Sequence, residues 1–327
     1  MTTGHPRRQR GAALLTAVLI AALATVITVA LADAYQLHFR RTTVLVSSEV
    51  AMQYALGAES WAHDILRQDL QDTQSDHRLE AWATSLPPLP IDNGLIEGTL
   101  EDMHGRFNLN NLAGGQQQQQ QQPGGGLQQQ GAQQNIDENA VAQFQRLLQA
   151  LEIDPALAYA AADWIDSNQE VAFPDGAEDD FYTGQEPAYR TANLAITNPS
   201  ELLAIGTFDV AAWRALRPFV TALPPGTAIN PNTASPVVLQ SLSENISPSD
   251  AQGIFEQAGV TPYENLDDLS QQIGLEGGGA ASVTVNSNYF RLIVRVTVGA
   301  TLFTMYSLLE RDNQGQVWTR FRTFHTE

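Results

Sequence analysis

Uncharged, mostly apolar residues fill positions 12–32 without a break, and the first charge after them is Asp33. At about 1.5 Å of rise per residue, that run as a helix reaches roughly 30 Å, the thickness of a bilayer's hydrocarbon core. Helix-forming composition then continues to Leu70 with no proline, and Gly57 is the one glycine on the way. The pattern predicts a single long helix, half in lipid and half out. Within 44–70 the apolar positions Leu45, Ala51, Tyr54, Ala55, Ala58, Trp61, Ala62, Ile65 and Leu66 recur at helical spacing. They predict a face that packs on a sheet.

Further along, Leu86-Pro87-Pro88-Leu89-Pro90 cannot be helix and is read as a crossing loop. Residues 94–103 read as a first strand, with Ile96 and Leu100 on one face and Leu95, Glu97 and Thr99 on the other. A turn-rich segment follows, Arg106-Phe107-Asn108-Leu109-Asn110-Asn111-Leu112. Then 113–134 is almost wholly Gln and Gly, a composition that cannot bury apolar area and is read as a linker.

From 135 to 223 the periodicity is helical. Asp137 caps one helix, Asp154-Pro155 opens a second, Asn198-Pro199 a third, and 210–220 gives a fourth. Residues 226–282 form a second small helical unit entered through Ile229-Asn230-Pro231-Asn232-Thr233-Ala234. Its hairpin is similar to helix-hairpin-helix modules, which often bind DNA backbones. In so acidic a chain it is read as a packing unit.

The tail, 283–324, alternates with period two. Phe290, Leu292, Val294, Val296 and Val298 face one way and Arg291 and Arg295 the other, with turns at Gly299-Ala300 and at Asp312-Asn313-Gln314-Gly315. The fold expected is α+β: the long helix on an antiparallel sheet built from 33–112 and 283–327. A large helical domain, 135–282 (sub-units 135–225 and 226–282), is inserted into it.

The formal net charge of −19 over 327 residues sets the chain against nucleic-acid phosphate and makes it a fair host for a hard cation. Cysteine is absent, so no disulfide staples it. Arg7, Arg8 and Arg10 precede the apolar run and predict a cytoplasmic N-terminus, although Arg40 and Arg41 on the far side weaken the bias. A cleaved signal peptide would be shorter in its apolar part, and a plain signal anchor leaves the basic tract ending in Gly11 unexplained. That junction resembles the leader of type IV pilin-like precursors, in which a dedicated peptidase cuts after the glycine. It implies a leader of residues 1–11, a cut between Gly11 and Ala12, N-methylation of Ala12, and a transmembrane segment 12–32 retained on the mature chain.

No catalytic constellation emerges. The histidines at 5, 38, 63, 77, 104 and 325 lack metal-ligand spacing, and the serine-hydrolase elbow and phosphate-cradling glycine loops are absent from the sequence. One cluster stands out: Asp163, Asp166, Glu170, Asp175, Glu178, Asp179, Asp180, Glu186 and Asn193. Packed acids repel one another and need either counter-charge or full solvation. Calcium takes six to eight oxygen ligands at loose geometry, but the spacing is not that of an EF-hand, and from composition alone a solvated acidic loop is the simpler reading.

Trp164-Ile165-Asp166, Gly176-Ala177-Glu178-Asp179-Asp180-Phe181-Tyr182, Pro187-Ala188-Tyr189-Arg190-Thr191-Ala192-Asn193 and Ile229-Asn230-Pro231-Asn232-Thr233-Ala234 together resemble the general secretion pathway protein K family, the minor pseudopilins of type II secretion. The 106–112 segment and Tyr54-Ala55-Leu56-Gly57-Ala58-Glu59 fit the same family. The resemblance implies a pilin-like core, a calcium-binding insertion, and Asp166, Asp175, Glu178, Asp179, Asp180 and Asn193 as calcium ligands. It also implies a non-enzymatic subunit at the tip of a periplasmic pseudopilus. Its partners would be other minor pseudopilins, the inner-membrane secretion platform, the prepilin peptidase and exported substrates. Thr16 stands fifth after the expected cut, where most such subunits carry a glutamate that pairs with a neighbour's new N-terminus. A tip subunit has no neighbour above it, so an acid there would only cost energy. The rival readings are a minor pilin of a type IV pilus, a membrane-tethered metal-dependent hydrolase and a DNA-uptake protein.

Overall fold

The computed structural model of the protein describes residues 9–84, 87–114, 136–266, 269 and 283–324. Most of the leader (1–8), nearly all of the Gln/Gly tract and the end of the second helical unit lie outside the described residues. The first element is the long helix, α1 (Gln9–Asp72). It is long and apolar enough to cross a membrane over Ala12–Asp72. The distal half packs on a five-stranded antiparallel sheet of order β1-β2-β5-β6-β7, comprising β1 (Leu89–Ile91), β2 (Gly94–Asp102), β5 (Tyr289–Val298), β6 (Thr301–Arg311) and β7 (Val317–Phe324).

The buried line on α1 is Ala51, Ala55, Glu59, Ala62 and Leu66. Its small side chains let the strands approach closely, against Phe290, Leu292, Val294, Val296 and Met305. The expected stripe is therefore right at its centre and wrong at two points. Leu45 is 71% exposed because the sheet does not reach that far down the helix, and Trp61, 46% exposed, sits beside the contact line. One member of the buried line is an acid outside the expected stripe: Glu59 receives two hydrogen bonds from Arg322 on β7, at 2.8 and 2.6 Å, and others from Ser307 and Thr319.

Both tail hairpins form as the alternation predicts, and Gly299 and Gly315 supply the positive φ that their turns need. The proline-rich segment departs from expectation. Leu89, Pro90 and Ile91 pair with Ile96, Leu95 and Gly94 as a short edge strand. An outermost strand can tolerate a residue without an N–H.

The helical region contains α2 (Glu138–Ala150), α3 (Leu157–Ile165), the single turn α4 (Asp179–Tyr182), α5 (Val210–Leu216), α6 (Pro236–Ser241) and α7 (Pro248–Ala258). Asp137 caps α2 as expected, accepting from the amides of Asn139 and Ala140. Asn198 opens a 3-10 turn, Pro199–Ala204, rather than a full α-helix. The helix expected over 210–220 stops at Leu216, with Pro218 two residues on, and Val220 instead enters β4 (Val220–Thr221). The helical hairpin α6–α7 buries Val238, Leu239, Ile254 and Ala258 in the shared core, as a packing unit does.

Strand β4 pairs in parallel with β3 (Phe107–Asn108), so the insertion is not purely helical. Phe107, Leu109 and Leu112, assigned from sequence to the sheet unit, pack with Phe144 and Leu147 in the helical core. Asparagines explain why. Asn108 exchanges hydrogen bonds with Leu223 N and Pro224 O, Asn110 with Ile196 N and O, and Asn111 with Thr227 O and Gly226 N. They satisfy backbone groups that the loops of the helical unit would otherwise bury unpaired.

The insertion leaves the sheet after Asp102 and returns before Tyr289; Asp102 and Phe290 are paired neighbours. At that seam Arg311, 2% exposed, binds Leu66 O at 3.1 Å, Asp69 at 2.8 Å, Asp76 at 2.5 Å and Ser287 O at 3.0 Å. Asp102 accepts from Ser287, Thr233 and Asn230, and Asn230 also donates to Asp76 O. The end of α1, the sheet and the helical unit thus share one buried polar network. Removing one partner of a buried ion pair typically costs about 3–5 kcal/mol, because the other charge stays buried. Arg311→Met should lose stability of that order in urea melts of the purified chain, and Arg311→Lys should lose most of it, since one ammonium cannot span both acids. A loss under about 1 kcal/mol would contradict the assignment.

Candidate metal centre and the front of the long helix

The acidic cluster is built on α3 and the loop that folds back beneath it. Asp163 and Asp166 lie three residues apart at the helix end, so both face the loop, and both are fully buried. Asp163 accepts from the amide of Ala172 at 3.1 Å, which pins the loop's first half. Gly176 passes so close that a Cβ there would stand 2.2 Å from an Asp163 oxygen. Asp166 accepts from Asn168 N and Nδ2 at 3.2 and 2.7 Å. Asn193, held at φ +46°, donates to Asn168 O at 2.9 Å. Glu178, 3% exposed, receives the Thr191 hydroxyl on one oxygen at 3.2 Å, and Asp179 receives the Thr191 amide at 3.1 Å. Trp164, Tyr182 and Tyr189 wall the site with edge-on and tilted ring contacts.

Electrostatically the set is unbalanced. Burial pushes Asp163 up to about 6, and burial with the charge of Asp163 pushes Asp166 up to about 6. Glu178 rises to about 7 through burial and then through repulsion by Asp163. Among the described residues the only cation paired with the group is Arg190, on Asp179 at 3.3 Å, and its side chain is 78% exposed. Glu178 Oε1 and Asn193 Oδ1 are buried without any hydrogen-bond partner, as are Tyr182 OH and Trp164 Nε1 beside them. Two orphaned acceptor oxygens amid uncompensated carboxylates, with no nitrogen or sulfur donor, fit a hard cation of the calcium type.

The expected ligand residues divide. Asn168 joins Asp166 to Asn193 and Thr191 joins Glu178 to Asp179, whereas Asp175 and Asp180 are exposed and, among the described residues, share no hydrogen bond or ion pair with either pair. Asp163, absent from the expected ligand set, is the group's buried base. Its helical spacing from Asp166 was the signal for it.

A second acidic group, Asp69, Asp76 and Glu80, also brings carboxylates together. There Arg311 supplies the positive charge and Thr73, His77 and Trp82 satisfy Glu80. At the front of α1, Gly11 and Ala12 lie within continuous helix, and the Thr16 hydroxyl bonds back to Ala12 O and Ala13 O at 3.1 and 3.0 Å.

Comparison with known proteins places these features in context. Residues 105–225 and 229–287 each match a family model described as type II secretion system (T2SS), protein K. The chain is 34% identical to the type II secretion system protein K of Pseudomonas aeruginosa, over 95% of this chain and 91% of that one. It is 28% identical to the protein of the same name from Aeromonas hydrophila, over 95% and 96%. Among solved structures it resembles a chain of the GspK-GspI-GspJ complex of the enterotoxigenic Escherichia coli type 2 secretion system, with TM-score 0.67 and 25% identity, covering 88% of this chain and all of that one.

Without a cation the raised carboxylates contribute stability that is complete below their unfolded pKa, near 4, and lost as pH climbs through about 6 to 7. A bound cation offsets that loss. Added calcium should therefore raise the melting temperature more at about pH 7.5 than at about pH 5. Glu178→Gln should raise the cation-free melt at the higher pH and blunt the calcium response. Equal responses at both pH values would count against the site.

Proposed function

The chain belongs to the type II secretion system protein K family and is a minor pseudopilin of that system, and on that premise we propose that it caps the tip of the periplasmic pseudopilus. The observation carrying this reading is where the insertion sits. The helical unit joins the sheet at the seam formed by Asp69, Asp76, Asp102 and Ser287, beside the end of α1 farthest from its apolar front. A body fixed there occupies the space a further subunit's sheet would need.

Residues 12–32 hold the chain in the inner membrane as a single pass, N-terminus cytoplasmic and bulk periplasmic. The prepilin peptidase removes residues 1–11, and Ala12 becomes the methylated N-terminus. Drawn out by the inner-membrane platform, α1 then packs among like helices. Thr16 supports the top position, because its hydroxyl is satisfied inside its own helix and asks nothing of a subunit above. The relative solved as a complex carries two other subunits, which supports minor pseudopilins as partners here, with exported substrates meeting the assembled tip.

Calcium would be held by Asp166, Glu178, Asp179 and Asn193, and would supply the counter-charge that lets residues 166–193 close against α3. Its role is structural, and we assign the chain no catalysis. Gly11→Ala tests the scheme: it should leave a heavier precursor in the membrane fraction and stop secretion, while mature wild-type chains should start at Ala12. Mature chains starting elsewhere would overturn it.

A further inference from the structure

Beyond the uncharged run 12–32, α1 continues without a break and carries Tyr35, Leu37 and Phe39, which are 69%, 49% and 75% exposed. Arg40 and Arg41 follow at once, both exposed. No other arginine or lysine stands between Arg10 and Arg67. Neither side chain has an ion-pair or hydrogen-bond partner among the described residues. The nearest acids along the helix are Asp33 below and Glu49 above, each about 10 Å or more of helical rise away. Two unpaired guanidiniums therefore stand on the far side of the span, against the usual bias of positive charge toward the cytoplasm.

Height and direction determine what they meet. With Ala32 at the edge of the hydrocarbon, Arg40 and Arg41 lie about 12 Å higher along the helix axis. That is a little above the headgroup layer, roughly 5–7 Å thick on each side. Side chains on an α-helix tilt toward its N-terminus, and here the N-terminus is the membrane end. The two long side chains reach back about one turn, or 5 Å, which brings both guanidiniums down to the phosphates. Leu37 lies one turn below both, three and four residues back, and Tyr35 and Phe39, four residues apart, share a second face as an aromatic collar. Guanidinium forks match phosphate oxygens. We propose that Arg40 and Arg41 bind the phosphate of an anionic phospholipid in the periplasmic leaflet, and so fix the height at which the chain is held before it is drawn into a fibre. The rest of this acidic chain, with net charge −19, is repelled by such a surface. The inference rests on residues 12–32 spanning the bilayer with the bulk of the chain periplasmic.

The test reconstitutes the full chain, without partners, into phosphatidylcholine vesicles holding a trace of spin-labelled phosphatidylglycerol or spin-labelled phosphatidylcholine. Electron spin resonance reads the fraction of each probe immobilised at the protein. Flotation of the vesicles checks the span first: a chain left behind would overturn the transmembrane reading and this site with it, whereas a chain that floats puts the lipid site alone to the test. Phosphatidylglycerol should be enriched at least about twofold over phosphatidylcholine, and the enrichment should fall as salt rises. Arg40→Gln with Arg41→Gln, leaving the leader arginines in place, should remove at least about half of it, and Arg40→Lys with Arg41→Lys should keep more, because the charge remains. Both positions are exposed and lie below the reach of the sheet, so the melting temperature should not move. Equal immobilisation of the two lipids, or an enrichment untouched by the double glutamine change, would overturn the proposal.

Discussion

Arg311 lies at the last residue of β6, where the end of the long helix, the returning strand β5 and the inserted unit converge. Its guanidinium is spread over Asp69, Asp76 and two backbone carbonyls, with the ring of Phe290 4.9 Å below. Burying such a group is expensive, and the expense is offset only when every donor is met and each acid has its partner. Here burial and the neighbouring charge of Asp102 leave Asp76 at about 7 even with Arg311 beside it. The network is therefore tight rather than generous. What it provides is orientation: the helical unit is tied through Asp102, Asn230 and Thr233 to the same group that grips α1.

The molecule handles these buried acids in two ways. Glu59 is met by Arg322 across the helix–sheet contact, and Asp69 and Asp76 by Arg311. Among the described residues the α3 loop has no such partner for Asp163, Asp166 and Glu178, and it carries orphaned oxygens instead. That contrast is what supports the proposed cation site: at Glu59, Asp69 and Asp76 the chain supplies its own cation. Where it does not, an outside cation is the simplest way to balance the charge.

Much of this was legible in the pattern of residues. Period-two alternation located β2, β5, β6 and β7, and uninterrupted helix formers located α1, because both signals are local. What failed to show was set by distant partners. The burial of Glu59 depends on Arg322, which lies 263 residues away. Leu89–Ile91 becomes a strand only because β2 offers it an edge. Phe107 and Leu109 join the helical core because β4 pairs beside them. The acidic cluster was visible as composition, yet its division into buried Asp166 and Glu178 and exposed Asp175 and Asp180 follows from how the loop folds back on Asp163. Family resemblance supplied what periodicity could not.

A rigid graft at the distal seam explains why this pseudopilin would end a fibre rather than extend it. Because the chain has no cysteine, a single Val260→Cys change, at a residue 80% exposed on the helical unit, gives one unique attachment point for a thiol-reactive gold label. Electron microscopy of sheared pseudopili should then find gold at one end of each fibre. Gold spaced along the shafts would mean that subunits stack above the helical unit, and the account would fail.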